Sequence, residues 1–149
     1  MSEPTGPAYR QALQHFPVVR ARADLERLMA RLRGRPAKLL SFEEVRQQLH
    51  GDITDRTVLR ETPVNAIVGS VGRYRDFTRS FLPLSGAGSS RWVGVEMGFA
   101  SGRLPPIDVY KLGEAYFVID GNHRVSVSRE LGYEKIQAHV TEVETEVPV

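Results

Sequence analysis

The chain has 149 residues, is 41% hydrophobic and 26% charged, and carries a formal net charge of +2, which is ordinary for a single globular domain. It contains no cysteine, which excludes disulfide bonds, thiolate nucleophiles and cysteine-ligated zinc or iron–sulfur centres. No apolar run approaches the roughly 20 residues of a membrane span, and the N-terminus lacks the apolar core of a signal peptide, so we expect a cytoplasmic protein without membrane contact.

Residues 1–56 are interpreted as an N-terminal helical arm. Helices are predicted over residues 8–16 and 21–33, with a break at Pro17, because proline removes an intrahelical hydrogen bond. The second helix carries an apolar stripe with the spacing of one helix face, made of Leu25, Leu28, Met29 and Leu32. This stripe needs a partner surface, which is either the domain core or the same helix of a second copy in a homodimer.

The arm is also rich in arginine, with seven arginines against three acidic residues in positions 1–36. Such a helix is usually a solvated face, and contact with DNA is the alternative. Binding to DNA would weaken steeply with salt. It would use Arg20, Arg22, Arg27, Arg31 and Arg35.

A short helix and a strand lead into the main domain. Ser41 and Glu44 form a capping box that predicts a helix over residues 42–49. Residues 57–67 have strand character, and Pro63 favours an edge strand or a bulge. We assign residues 57–143 to the main domain and residues 144–149 to an acidic tail.

A loop containing glycine and arginine spans residues 69–77. Its two arginines, Arg73 and Arg75, and its two glycines are suited to cradling a phosphate, although the Gly-Lys-Ser/Thr ending of a Walker loop is missing. A helix-initiating loop with solvated arginines explains the same residues equally well.

The second half of the chain is predicted to alternate helices and strands. Residues 84–90, with two glycines and three serines, are expected to form a flexible flap over a site. A helix follows and ends at Gly102. Residues 107–111 and 116–120 are predicted to pair as a hairpin, and residues 136–140 alternate as a last strand.

The most informative stretch joins the hairpin to a short helix and reads Asp120-Gly121-Asn122-His123-Arg124. Asn122 is predicted to cap the helix, and Gly121 to let a phosphate approach the backbone closely. The start of a helix carries about half a positive charge, which attracts anions. An ordinary turn explains the first three residues, but the adjacent His-Arg pair works against the helix dipole unless an anion is present.

This stretch, with Gly102 and the Leu-Pro-Pro-Ile segment at 104–107, resembles the ParB/sulfiredoxin-like domain family over about residues 91–143. The resemblance implies an α+β fold with a small mixed sheet and packed helices, here preceded by the helical arm. It also implies that the turn binds nucleotide phosphates. ParB proteins carry Gly-Glu-Arg-Arg there and use it for CTP. Sulfiredoxins carry Gly-Gly-Cys-His-Arg for ATP, and a free-serine kinase of the same fold carries Asp-Gly-His-Thr-Arg.

The departures from these patterns limit the activity. Asn122 replaces the reactive cysteine of sulfiredoxins, so the chain is not a sulfiredoxin. It also replaces the ParB glutamate, and the sequence stops where the ParB helix-turn-helix domain would begin, so we do not expect binding to a partition site. The histidine is displaced by one position relative to the kinase. Glu61 and Glu96 are candidates for the kinase's catalytic glutamate by residue type alone.

Our first hypothesis is therefore a nucleotide-binding domain that takes ATP, ADP or CTP. Mg²⁺ would arrive with the nucleotide, because the four histidines show no metal-ligand spacing. The residues expected to hold the phosphates are Gly121, Asn122, His123 and Arg124 of the turn, with Arg73 or Arg75 closing from the loop.

The same site is a candidate for nucleotide hydrolysis or phosphoryl transfer, which rests mainly on positioning and charge stabilisation. Asp120 and His123 are the catalytic candidates, with Asp120 as metal contact or base. Two other classes stay open: a DNA-associated regulator or nuclease-like module that uses the arginine-rich arm, and an interaction module joined through the apolar stripe.

Overall fold

The computed structural model describes residues 6–34, 38–84, 89–102 and 104–146. Within these ranges, no helix has both the length and the apolar character needed to cross a bilayer. A 3₁₀ turn, Val64–Ala66, joins the second strand to the third. The helices and strands in chain order are α1 (Pro7–Leu32), β1 (Leu40–Ser41), α2 (Phe42–Gln48), β2 (Asp52–Pro63), β3 (Ile67–Ser70), α3 (Ser89–Ser101), β4 (Ile107–Leu112), β5 (Ala115–Asp120), α4 (Asn122–Glu130) and β6 (Lys135–Glu144).

The strands form one mixed sheet in the order β1-β3-β5-β4-β6-β2. β4 and β5 are the predicted hairpin, with Val109 opposite Val118, and β6 runs parallel to β4. β2 pairs antiparallel with β6 at one edge of the sheet, as expected for a strand that ends in proline. This arrangement confirms the predicted α+β class, a small mixed sheet with packed helices after an N-terminal helical arm.

Two predictions around the first strands were inaccurate, one about the bounds of a strand and one about a helix cap. The strand expected over residues 57–67 is two strands, β2 and β3, which lie at different places in the sheet because the turn at Val64 redirects the chain. α2 begins after Ser41 as expected, but in the described residues the Ser41 side chain makes no capping hydrogen bond. The division of domains at residue 57 stays a prediction, and β1 and β2 both begin before it.

The core lies on both faces of the sheet because side chains alternate along each strand. Val118 of β5 packs on one face with Ile107 and with Val125 of α4. Phe117 points to the opposite face, where its ring lies 5.4 Å from that of Phe42 in α2. The sheet is thus covered by α4 on one side and by α2 on the other, and β5 delivers its end to the start of α4.

Helix α1 is continuous through Pro17, so the predicted break was wrong. Proline inside a helix costs about 3 kcal/mol or more, and packing on both sides of it offsets this cost. Val19 and Ala23 are buried in a cluster with Trp92 of α3, and Ala12 is buried before the proline. Pro17 itself lies on the exposed side, where water can reach the carbonyl that loses its partner.

The predicted apolar stripe faces away from the core. Leu28 and Leu32 are 51% and 74% exposed, and Leu25 and Met29 are also exposed. The helix buries small residues on its other side instead, so the described residues leave the stripe largely uncovered. A homodimer through this helix stays a prediction.

A polar clasp of four residues fixes α1 to the domain. The His15 ring contacts Glu96 of α3 through Nδ1, and its Nε2 lies 3.3 Å from Oε1 of Glu130 in α4. Arg22 donates to the same Glu130 oxygen. His15 also packs edge-on against Trp92, with ring centroids 5.3 Å apart. Three helices therefore meet at one imidazole.

We expect His15→Ala to lower the free energy of unfolding by about 2 to 3 kcal/mol, because it leaves the buried Glu96 side chain without its hydrogen-bond partner at Oε1. Urea denaturation followed by circular dichroism measures this change. Asp24→Ala is the matched control, since it breaks the exposed pair of Asp24 with Arg20 on the same helix and should cost about 0.5 kcal/mol or less. Equal effects of the two variants would show that the clasp does not hold α1.

Candidate functional site

The candidate site lies where β5 ends at Asp120 and α4 begins. Gly121 occupies the N-cap position with φ 118° and ψ 24°, and Asn122 is the first helical residue, so the prediction that Asn122 caps the helix was wrong. In the described residues no side chain caps this end. The first turn closes with the Val125 amide donating to the Gly121 carbonyl at 3.0 Å, so the amides before Val125 are directed out of the helix start.

Gly121 is required by packing as well as by its backbone angle. A Cβ at this position would lie 2.4 Å from Cγ2 of Ile107 and 2.9 Å from its Cβ. The glycine therefore lets the turn lie against β4. The space in which a side chain would stand is filled by protein, so the fold alone accounts for this residue.

A cavity of about 330 Å³ opens above this turn. It is bounded by the turn, by the loop after β3 and by the first turn of α3. The lining residues are Gly72, Arg73, Arg91, Ile119, Asp120, Gly121, Asn122, His123 and Arg124.

Arg124 acts as a structural clamp beneath the cavity. Its Nη1 donates to the carbonyls of Pro105 and Pro106, both at 2.9 Å, and its Nη2 donates to Oδ2 of Asp120 at 3.1 Å. The side chain is only 13% exposed, whereas that of Asp120 is 75% exposed. Arg124 thus connects the segment before β4 to the turn. Both of its terminal nitrogens already donate hydrogen bonds to protein oxygens.

The two other polar residues of the turn are largely buried. The His123 ring packs edge-on against Phe77, with centroids 5.2 Å apart. Asn122 donates from Nδ2 to the carbonyl of Gly72 at 3.4 Å, and its Oδ1 is buried without a hydrogen-bond partner among the described residues. Asn122 therefore links the turn to the loop after β3 and retains an unused acceptor.

The loop after β3 is held in place from below. The buried Ser70 hydroxyl donates to the Val118 carbonyl at 3.2 Å and is also in hydrogen-bonding contact with the Gly72 carbonyl. Arg73, with φ 54°, then projects to the cavity, and its Nη1 lies 3.4 Å from Oδ2 of Asp76. The hydrogen bonds of Ser70 therefore hold the loop that carries the Arg73 guanidinium at the cavity.

The two loop arginines of the sequence prediction have different surroundings. Arg73 lines the cavity, but Arg75 does not, and its guanidinium lies 5.6 Å from the Tyr74 ring centroid. Arg91 of α3 lines the cavity and was not singled out from the sequence. Its position just after a segment rich in glycine and serine was the available signal. The predicted flap falls largely on residues 85–88, which lie outside the described residues.

Other candidates from the sequence lie elsewhere. Glu61 is exposed on β2 opposite Gln137, and Glu96 contacts His15, so neither lines the cavity. Among the arginines proposed for DNA, Arg20 and Arg22 pair with carboxylates, Arg27 and Arg31 are exposed on α1, and Arg35 lies outside the described ranges.

Comparison with known proteins adds the following. A family model described as the ParB N-terminal domain matches residues 39–148. No curated protein sequence matches the chain. Among solved structures, the sulfiredoxin from Arabidopsis thaliana is similar, with 20% sequence identity and a TM-score of 0.43 over 57% of this chain and 85% of that chain.

Proposed function

The chain belongs to the ParB N-terminal domain family, as the strand–turn–helix stretch predicted, and on that basis we propose that it binds the phosphates of a nucleotide in the cavity above Gly121. The observation that carries the proposal is the convergence of Arg73 and Arg91 on the start of α4. These groups come from three separate parts of the chain, and each favours an anion.

The charge of the cavity supports an anionic ligand. Its lining contains three arginines and one carboxylate, and that carboxylate, Asp120, already accepts a hydrogen bond from Arg124. The start of α4 adds a partial positive charge that favours a bound anion by about 0.3 to 1 kcal/mol. Arginine suits phosphate because its planar donors bind two oxygens at once.

The size of the cavity supports a phosphate chain more than a whole nucleotide. Ligand pockets usually measure about 300 to 1,000 Å³, so 330 Å³ lies at the small end of that range. The nucleoside would then extend beyond this cavity. The unused Oδ1 of Asn122 is an acceptor, so it would pair with a donor on the ligand, such as a hydroxyl, and not with a phosphate oxygen.

Mg²⁺ fits this site as a companion of the nucleotide. It prefers oxygen ligands, and Asp120 is the cavity residue whose carboxylate would supply one. The described residues contain no group of three or more His, Asp or Glu side chains that would hold a metal alone. When bound, Mg²⁺ neutralises phosphate charge.

Within this proposal Asp120 is better suited to a chemical role than His123. The Asp120 side chain is largely exposed at the cavity, so it is accessible to a water or a second substrate. The His123 ring is packed against Phe77 and is part of the wall. Hydrolysis or phosphoryl transfer here would depend on arginine and helix-start electrostatics more than on histidine acid–base chemistry.

The alternative, DNA contact through α1, has weaker support. Arg20 and Arg22, two of the arginines it requires, are paired with Asp24 and Glu130. Arg27 and Arg31, two further arginines that this alternative requires, are exposed on the same helix as the apolar stripe. An exposed apolar stripe is not typical of a surface that tracks a phosphate backbone.

Calorimetric titration with ATP, ADP, CTP and GTP, each with and without Mg²⁺, tests the nucleotide proposal. We expect one of them to bind with a Kd of about 1 μM, equivalent to about −8 kcal/mol, and to bind more tightly with Mg²⁺. The identity of that nucleotide would define the base specificity. If none of the four produces heat or a thermal shift, the nucleotide assignment is wrong.

A further inference from the structure

A second cavity, of about 450 Å³, lies between α1, α3 and the segment after α4. Its walls are mainly apolar and include Met97, Phe99, Leu131 and Tyr133. The Phe99 and Tyr133 rings lie 5.1 Å apart with their planes tilted by 39°. An apolar, partly aromatic cavity with few polar groups is the usual form of a small-molecule site.

The polar wall of this cavity is supplied by Glu96 and Gln11. Glu96 is 9% exposed, and its Oε1 is in contact with His15. Its other oxygen, Oε2, is buried and has no hydrogen-bond partner among the described residues. Buried carboxylate oxygens normally accept at least one hydrogen bond, so this oxygen calls for a donor.

The surrounding side chains do not supply that donor. His15 directs its second nitrogen to Glu130, and Arg22 also binds Glu130. Oε1 of Glu130 thus lies against two nitrogen-bearing side chains, whereas Glu96 is contacted by His15 at Oε1 alone among the described residues. Glu96 lines the cavity together with Phe99 and Tyr133, whose rings form its aromatic part.

We infer that this cavity binds a small primary amine with an aromatic or branched apolar body, whose ammonium group donates to Glu96. The apolar walls would bury the body, and the aromatic faces of Phe99 and Tyr133 favour a nearby cation. Carboxylates and phosphates are disfavoured, because they would meet the Glu96 charge. The site is separate from the phosphate cavity, since the two share no lining residue.

Benzylamine is the probe for this site, and benzyl alcohol is its neutral counterpart of nearly the same shape. In a titration followed by amide chemical shifts, we expect benzylamine to bind with a Kd on the order of 1 mM, with shifts centred on α3 and the segment after α4. Benzyl alcohol should bind at least about tenfold more weakly, a difference of about 1.4 kcal/mol. Equal binding of the two probes, or no binding of benzylamine, would overturn the inference.

Two variants locate the interaction. Glu96→Gln should weaken benzylamine at least about tenfold, whereas Glu114→Gln, at the exposed β4–β5 turn, should leave it unchanged. Because Glu96→Gln also alters the contact with His15, Ala100→Trp gives an independent test: it fills the cavity from the exposed side of α3 and should abolish binding. Wild-type affinity in either Glu96→Gln or Ala100→Trp would contradict the site.

A third variant separates this inference from the nucleotide proposal. Arg91→Ala alters the phosphate cavity and lies outside the lining of the amine cavity, so benzylamine should bind it as it binds the wild type. Loss of amine binding in Arg91→Ala would show that the probe occupies the phosphate cavity, which would overturn the assignment to Glu96.

Discussion

Gly121→Ala is expected to lower the free energy of unfolding by about 2 to 5 kcal/mol, a large part of the total stability of a typical domain. The φ of 118° belongs to a region that residues with a Cβ rarely adopt, which costs about 1 to 2 kcal/mol. The new Cβ would also stand 2.4 Å from Ile107 Cγ2, and overpacking of this kind costs about 1 to 3 kcal/mol.

Urea denaturation of Gly121→Ala and of a matched control, Gly94→Ala, measures this effect. Gly94 lies inside α3, and apart from its chain neighbours and the helix backbone no described heavy atom lies within 4 Å of its would-be Cβ. Alanine there should stabilise by about 0.5 to 1 kcal/mol. If Gly121→Ala unfolds at the same urea concentration as the wild type, the turn has another backbone conformation in solution.

The contact with Ile107 changes how the role of Gly121 is interpreted. A glycine at a strand–helix junction suggests close approach of a phosphate, but here it is explained by the approach of Ile107. The residue therefore indicates the fold, and the family match agrees with that. An anion site at this turn is therefore supported by the surrounding side chains and amides, and not by the glycine.

The elements that sequence predicted well are those set by local pattern. Alternation and turn residues gave the β4–β5 hairpin and β6, where Ala138 and Val140 are buried and His139 is exposed. The end of β5 at Asp120 and the short helix after it followed from the same reasoning. These features depend on residues that are close together in the sequence, so the local sequence is enough to predict them.

The features that sequence missed depend on contacts between distant segments. Pro17 breaks a helix in isolation, but α1 is held on both sides of it by the α3–α4 cluster. Asn122 is a good cap by residue type, but Gly121 takes that position because β4 leaves no room for a side chain. Arg91 joins the cavity only because α3 begins beside it, which no spacing along the chain reveals.

Replacing both Arg73 and Arg91 by alanine is expected to weaken nucleotide binding by about 100-fold. A charge-assisted hydrogen bond contributes about 1.5 to 3 kcal/mol, and partial exposure places each of these contacts at the lower end, near tenfold in Kd. The two side chains approach the cavity from different elements and do not bond to each other, so their effects should add in free energy. Calorimetry with the nucleotide that binds the wild type measures the loss.

Arg75→Ala is the matched control, because Arg75 lies two residues from Arg73, carries the same charge and is absent from the cavity lining. It should leave nucleotide affinity within about twofold, since an exposed charge that does not contact the ligand is largely screened by salt. His123 and Arg124 are poorer targets: one is buried against Phe77 and the other holds Pro105 and Pro106, so their loss would disturb the fold. If the double variant and Arg75→Ala weaken binding equally, the arginines act through net charge alone and the cavity is not the phosphate site.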